Sequence, residues 1–459
     1  MRKMEYGLND TPILKKAIPL SLQHILTMLG ATVAVPTIVA SFFGLNGNDT
    51  AIFISNVLLA MGIATIIQVL LGTKLPIIQG SSFAFLPPII YTSSIYPGVE
   101  GLQYMTGALL VGGLIQAFLG FSGLAGKLQK HLTPVVIGPT IMAIGLSLYS
   151  VAGDKISTNW TVAFITIVLI FIFSFGIKNT KQTNWLISSL SLYPIVFTIV
   201  VMWSICFALS LLGVVSEASS IYIGFPNWND ISLFKTEWIL TWGMPKLNMS
   251  ILFVFIISYL ISTVESIGDY NAINDIVSEK KGNNSVNENI TNRGVISEGL
   301  SCSLASILGS TPTTSYSENI GVIGITRVAS RKVVVGSGII LMIAGAIPLF
   351  GNILASIPNP IMGGLYVILF GIIMGIGLRY AARADLTSMR NVSIIGFSLF
   401  FGLALSTALS SPDVEKEISS ILTAGVRDIV FGIGKSSMAV TAISAFILDK
   451  VLQQEDNNE

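Results

Sequence analysis

The chain has 459 residues, of which 52% are apolar and only 11% charged, with a net charge of +1 and a mean hydropathy of +0.77. A soluble domain carries roughly 25% charged residues on its surface, so the composition excludes a string of water-soluble domains and predicts one large helical membrane domain. The small net charge argues neither for nor against nucleic acid, and no nucleic-acid partner is expected.

Taken in chain order, the first residues, MRKMEYGLNDTPILKK, lack a short apolar region with a cleavage site, and no removed signal peptide is expected. Apolar runs of bilayer-crossing length, about 17–25 residues, then recur to the end. The predicted spans are 17–41, 51–72, 104–125, 133–152, 159–177, 185–213, 249–277, 333–357, 361–380, 391–410 and 433–451. Three further segments, 76–92, 293–309 and 313–330, are shorter or richer in Gly, Ser, Thr and Pro. Together these give an all-α polytopic membrane protein of about fourteen segments. With the N-terminus inside, most of the 25 Lys and Arg residues fall on the inner side, among them Lys74, Lys127, Lys130, Arg331 and Arg383. Lys155, Lys235, Lys246 and Lys416 are left outside, a bias that predicts cytoplasmic termini. The outer loop 214–248 carries Trp228, Trp238 and Trp242 as interface markers, and 411–431 reads as a surface-lying helix leading into the last span. Cys206 and Cys302 sit in apolar runs as small buried hydrophobes. The only histidines are His24 and His131, no metal-ligand cluster is present, and no cofactor is expected.

Two segments do not read as plain spans. One is QGSSFAFLPP, Gln79 to Pro88, with Pro76 upstream; the other is STPTTSYSENIG, Ser310 to Gly321. Both are short and rich in hydroxylated, small or helix-breaking residues. Non-helical backbone at membrane depth survives only where protein or a polar cavity covers it. Paired interrupted segments in two halves of a chain point to a secondary transporter's site. The intervals agree: Met28 to Phe83 is 55 residues and Glu265 to Glu318 is 53.

Four carboxylates fall inside apolar segments: Glu265, Asp269, Glu298 and Glu318. An ionisable group at that depth is costly and marks a functional site by default. Glu265 and Asp269 are four residues apart, on one helix face, where two poorly hydrated carboxylates repel when both ionise. A carboxyl that exchanges a proton near neutral pH is what a proton-coupled carrier needs. For Asp269 and Glu298 a helix cap or pairing role is the other reading. His24 reads as a helix–helix hydrogen bonder, and Asp275 and Glu279 as solvated residues near the inner interface. Glu318, beside Asn319, is expected in unwound chain.

At these residues the chain resembles a known family. Glu318 to Arg327, ENIGVIGITR, is similar to the signature of the nucleobase-ascorbate transporters, also called nucleobase:cation symporter family 2. That signature runs Gln, Glu or Pro, then Asn, any residue, Gly, four residues, Thr, and a basic or Gly position. Leu22-Gln23-His24, QGSSFAF at Gln79 to Phe85, TPVVIG at Thr133 to Gly138 and ESIGDY at Glu265 to Tyr270 also resemble that family, in order along nearly the whole chain.

The resemblance implies two inverted seven-segment repeats, a core domain (17–125 and 249–357), a gate domain (126–213 and 358–452) and short strands in segments three and ten. The N-terminus (1–16) and the tail (453–459) are expected in the cytoplasm and 214–248 outside. It implies that Glu265 and Glu318 hydrogen-bond a nucleobase, that backbone near Phe83, Ala84 and Ser317 contacts it, and that Phe83 or Tyr316 stacks on its face. Carboxylates accept N–H donors and aromatic faces suit a planar heterocycle. Glu265 and Asp269 are expected in proton coupling, and Asn319, His24 and Glu298 in orienting the site. A homodimer in the cytoplasmic membrane is implied. Two departures split the substrate signal: Asp269 stands where uracil-type members have His, as in xanthine and urate carriers, whereas Glu318 is of the uracil type. Glu298 also stands where many members have Asp. The expectation is a proton-coupled nucleobase symporter, uracil ahead of xanthine, with Na+ as the other coupling ion. The rival readings are a purine permease of the same family, an anion carrier or channel, which wants a basic or neutral site at the half-helix ends, and a membrane hydrolase built on Ser317 and Glu318.

Overall fold

The computed structural model describes residues 4–129, 131–176, 193–223, 238–278 and 287–452. Trp228, Lys130, Lys235, Glu279, the tail 453–459, and parts of the predicted spans 159–177 and 185–213 lie outside the described residues. The first quarter runs α1 (Leu14–Phe42), α2 (Gly47–Leu70), β1 (Gln79–Ser81), a 3-10 turn (Phe83–Phe85), α3 (Leu86–Ile95) and α4 (Gly98–Phe121). Next come α5 (Leu124–Gln129), α6 (Pro134–Ser147), α7 (Tyr149–Ser157), α8 (Trp160–Phe171), a π turn (Ile172–Gly176) and α9 (Pro194–Leu211). The second half holds α10 (Met249–Val277), α11 (Glu288–Ile307), β2 (Thr313–Ser315), α12 (Ser317–Thr326), α13 (Arg331–Ala346) and α14 (Pro348–Ala355). It closes with α15 (Asn359–Ala381), α16 (Met389–Leu409), α17 (Pro412–Ile421), α18 (Ala424–Gly434) and α19 (Ser437–Val451).

Among the described residues eight helical segments are long and apolar enough to cross a bilayer, α6 and α7 counting as one, and nine if the bent pair α13–α14 is one span. The fourteen expected segments therefore do not all appear as full crossings. α8 and α19 are short, and α11 is broken in apolarity by Asn, Ser and Glu. The predicted span 333–357 bends by 83° at Ile347, which Pro348 holds in an extended conformation. The predicted surface helix 411–431 divides at the extended Leu422. Its first half, α17, buries nothing, but α18 packs on α10, with Phe431 buried and Gly432 seated against Val254.

Helix pairs approach through glycine. A Cβ on Gly62 of α2 would lie 2.5 Å from the Gly338 carbonyl of α13, and one on Gly113 of α4 would lie 2.6 Å from that of Gly299 in α11. Close backbone approach replaces the hydrophobic drive that lipid cannot supply. Of these helices, α2 and α11 also pack on the two strands.

The strands form one antiparallel pair with Gln79 opposite Ser315, Gly80 opposite Thr314 and Ser81 opposite Thr313. Ser82 N–H donates to Pro312 O at 3.0 Å and Tyr316 N–H to Ile78 O at 3.1 Å, which extends the pairing at both ends. Each interrupted segment thus satisfies the backbone of the other, as buried non-helical chain requires. After β1, Pro87 and Pro88 occupy the first turn of α3, where a missing N–H costs nothing. At the N-terminal end, Tyr6 forms a parallel bridge with Val328, and Ala329 N–H donates to Tyr6 O at 2.8 Å. The strap 4–10 is thereby fastened to the linker between α12 and α13.

Candidate functional site

The strand pair carries one wall of a cavity. Ser81 and Phe83 reach it from the first broken segment, and Thr314, Ser315, Tyr316, Ser317 and Glu318 from the second. Glu265 enters from α10, and Ile141 and Ile144 of α6 with Ile373 and Ile376 of α15 form the facing apolar wall. The space traced by a water's centre is about 30 Å³, room for roughly two waters. Among the described residues no Lys or Arg lines it, and the ionisable carboxyls there are those of Glu265 and Glu318.

Tyr316 is fixed between the strands. Its hydroxyl donates to Ser81 O at 2.9 Å, and its ring covers Gly80, where an added Cβ would fall 2.2 Å from a ring carbon. Phe83 meets Phe370 of α15 edge to face, with centroids 6.0 Å apart. Ala84 is fully buried and does not line the cavity.

Glu318 does not lie in unwound chain. It occupies the first turn of α12, where a carboxylate is favoured by the helix dipole. Glu265 makes no hydrogen bond to another described residue, so its carboxyl is open to the cavity. Asp269 does not line the cavity. It lies one turn further along α10, buried, and Ser317 Oγ donates to its Oδ1 at 2.6 Å while Oδ2 has no hydrogen-bond partner among the described residues. Asn319 Nδ2 donates to the His24 carbonyl at 3.3 Å and lies 3.3 Å from His24 Nδ1, which joins α12 to α1.

Glu298 is buried behind β2 rather than in the cavity. Its Oε1 accepts from Ser262 at 3.2 Å and Ser266 at 2.9 Å, and its Oε2 accepts from Tyr270 at 3.0 Å. Gln68 Nε2 donates to Tyr270 Oη at 2.8 Å, and Ser297 bonds the Gln68 carbonyl oxygen. Ser262 and Ser266 each lie 3.1 Å from Thr314 Oγ1, so the network ends on the second strand. Sequence reasoning missed Ser262, Ser266, Tyr270, Gln68 and Thr314. The legible signal was the spacing 262, 266, 270, a second polar stripe beside the 265, 269 pair.

The chain matches the model of the Permease family over residues 15–411. It is 32% identical to solute carrier family 23 member 1 of Mus musculus, covering 98% of this chain and 80% of that protein. Nucleobase-ascorbate transporter 11 of Arabidopsis thaliana is 28% identical, with 98% and 69% covered. A Clostridium perfringens (strain 13 / Type A) protein, described provisionally as a purine permease, is 30% identical, with 98% and 93% covered. Among solved structures, the transmembrane domain of the cyanobacterial bicarbonate transporter BicA superposes with a TM-score of 0.58 at 12% identity, covering 94% of this chain and 98% of that one. At that identity the likeness is one of fold alone. On sequence, the chain belongs to this permease family, that of the nucleobase-ascorbate transporters.

Proposed function

We propose that the protein imports a nucleobase, uracil ahead of xanthine, by proton symport. The observation that carries this reading is the meeting of Glu265 and Glu318, from two different helices, on one cavity wall with Tyr316 and Phe83 and, among the described residues, no cation. Paired carboxyl groups match the N–H edge of a planar base, and the two rings offer it faces. An anion would meet two carboxylates there. In the proposed cycle Glu265 takes the coupled proton and binds the ligand, Asp269 modulates that proton, and Glu318 sets the ligand's orientation. Backbone near Phe83, Ala84 and Ser317 contacts the base, while Asn319, His24 and Glu298 hold the wall in place.

The space for roughly two waters is too small for a base, so entry requires the isoleucine wall of α6 and α15 to withdraw from the strand pair. We assign that movement to a gate domain (126–213 and 358–452) rocking against a core domain (17–125 and 249–357). This arrangement belongs with fourteen segments in two inverted repeats, cytoplasmic termini, a place in the cytoplasmic membrane and a homodimer. Na+ in place of H+ is the alternative for the coupling ion. Among substrates, a purine is the alternative, favoured by Asp269 at the purine-type position and by the clostridial relative's description. Thermal unfolding of the purified protein with uracil, thymine, xanthine, urate, hypoxanthine or ascorbate tests the reading. A ligand at a hundred times its Kd stabilises by about 2.7 kcal/mol; no shift with any base overturns it.

A further inference from the structure

Away from the proposed substrate cavity a trough lies between the start of α1 and α13, closed at one edge by Leu70 of α2, with a volume of about 820 Å³. Its walls are two facing helix stripes. Leu14, Ala17 and Ile18 come from α1, and Val335, Ile339 and Ile340 from α13. Leu14, Ile18, Leu70 and Ile339 are each about half or more exposed, at 74%, 47%, 50% and 48%. From Lys332 to Ile340 the helical rise gives the trough a length of about 12 Å.

The floor offers a polar ligand nothing. Ser21 Oγ donates to Val333 O at 2.7 Å, and Ser337 Oγ donates to Ser21 O at 3.0 Å, so the polar groups there are already paired. Gly336 keeps the floor low, since a Cβ on it would fall 2.6 Å from Ser21 Oγ. Charge is confined to one end, where Arg331 and Lys332 form the rim. Arg331 is committed to the N-terminal strap through Leu8 O at 3.3 Å and the Asn9 side chain. Lys332 is exposed and has no hydrogen-bond or ion-pair partner among the described residues.

We propose that this trough holds an anionic phospholipid, its acyl chain between α1 and α13 and its phosphate on Lys332. An apolar slot between two packed helices, with a single cationic end and no acidic residue in its described lining, complements an amphiphile with a negative head. Because α13 follows the strap-bound linker after α12, the lipid lies against the helix that comes next in the chain after the second broken segment.

The test is photolabelling of the full-length protein in mixed micelles with a diazirine-bearing phosphatidylglycerol or phosphatidylcholine, followed by peptide mapping. Phosphatidylglycerol should label residues 11–21 and 332–340 at least fivefold more than phosphatidylcholine. Lys332→Glu should remove that preference, and Ile339→Trp, which fills the slot, should lower labelling by both lipids. Both variants must elute as the wild type does on gel filtration; if one does not, Lys332→Gln and Ile339→Phe replace it in the same comparison. Equal labelling by the two lipids, or a preference that survives loss of the Lys332 charge, makes the slot an ordinary part of the lipid annulus and overturns the proposal.

Discussion

Ser317 donates a 2.6 Å hydrogen bond to Asp269, tying the first residue of α12 to the C-terminal third of α10. The bond sets where Glu318 sits relative to Glu265, because each glutamate is within one turn of a bonded residue. It also gives Asp269 a place in the site although its carboxyl does not reach the cavity.

Removing that bond should loosen the ligand-binding wall. A hydrogen bond to a buried carboxyl is worth about 1–3 kcal/mol. Ser317→Ala should therefore weaken nucleobase binding about tenfold, with Ser317→Thr retaining most of it. Titration calorimetry on the purified variants checks this, and an unchanged Kd for Ser317→Ala would remove Asp269 from the positioning of α12.

Glu298 should matter first for stability. Glu298→Ala removes the acceptor of Tyr270 Oη and leaves Ser262 and Ser266 to share Thr314 Oγ1, at about 1–3 kcal/mol for each hydroxyl left unsatisfied. Its apparent Tm in detergent should fall by several degrees. Glu298→Gln keeps an acceptor in place and should fall less. Equal losses for the two variants would contradict the network as the reason for the carboxyl.

Gly80 should tolerate no side chain. Its Cβ would sit 2.2 Å from the Tyr316 ring, whereas one on Gly375 of α15 would meet nothing within 4 Å. Gly80→Ala should displace the ring, break its bond to Ser81 and cut ligand affinity at least tenfold, with Gly375→Ala near wild type. Binding assays on the two alanine variants decide it.

Substrate preference should turn on Glu318. The resemblance pairs Glu at this position with uracil and Gln with purines, so Glu318→Gln should move the largest thermal shift from uracil towards xanthine. A variant that keeps the wild-type ranking of bases would show that the choice is made elsewhere.

The membrane class, the long helices and the two interrupted segments were legible in the sequence because apolar length and helix-breaking composition are local signals. The two short strands were implied by the family resemblance, but their pairing and register were not. Gln79 meets Ser315 through contacts 236 residues apart, and no local pattern encodes such a partner. Glu318 was expected in unwound chain because hydroxyl-rich sequence precedes it. The helix instead begins one residue before Glu318, immediately after the strand. Glu298 was recognisable as a buried charge, but the groups that satisfy it come from α10, and they are held in turn by Gln68 of α2 and Thr314 of β2. The division of 411–431 was hidden because Leu422 and Thr423 carry no turn residue, while the α18 face is chosen by contact with Val254 of α10.

The central claim is that Glu265 carries the coupled proton. Its most direct measurement is concentrative uptake of radiolabelled uracil into proteoliposomes under an imposed pH gradient, with the ligand identified by thermal shift substituted if uracil is not bound. The wild type should accumulate the base above equilibrium and lose that accumulation when the gradient is collapsed. Glu265→Gln, which keeps the side chain's shape but cannot release a proton, should only equilibrate. Accumulation by Glu265→Gln that still follows the pH gradient would contradict the account.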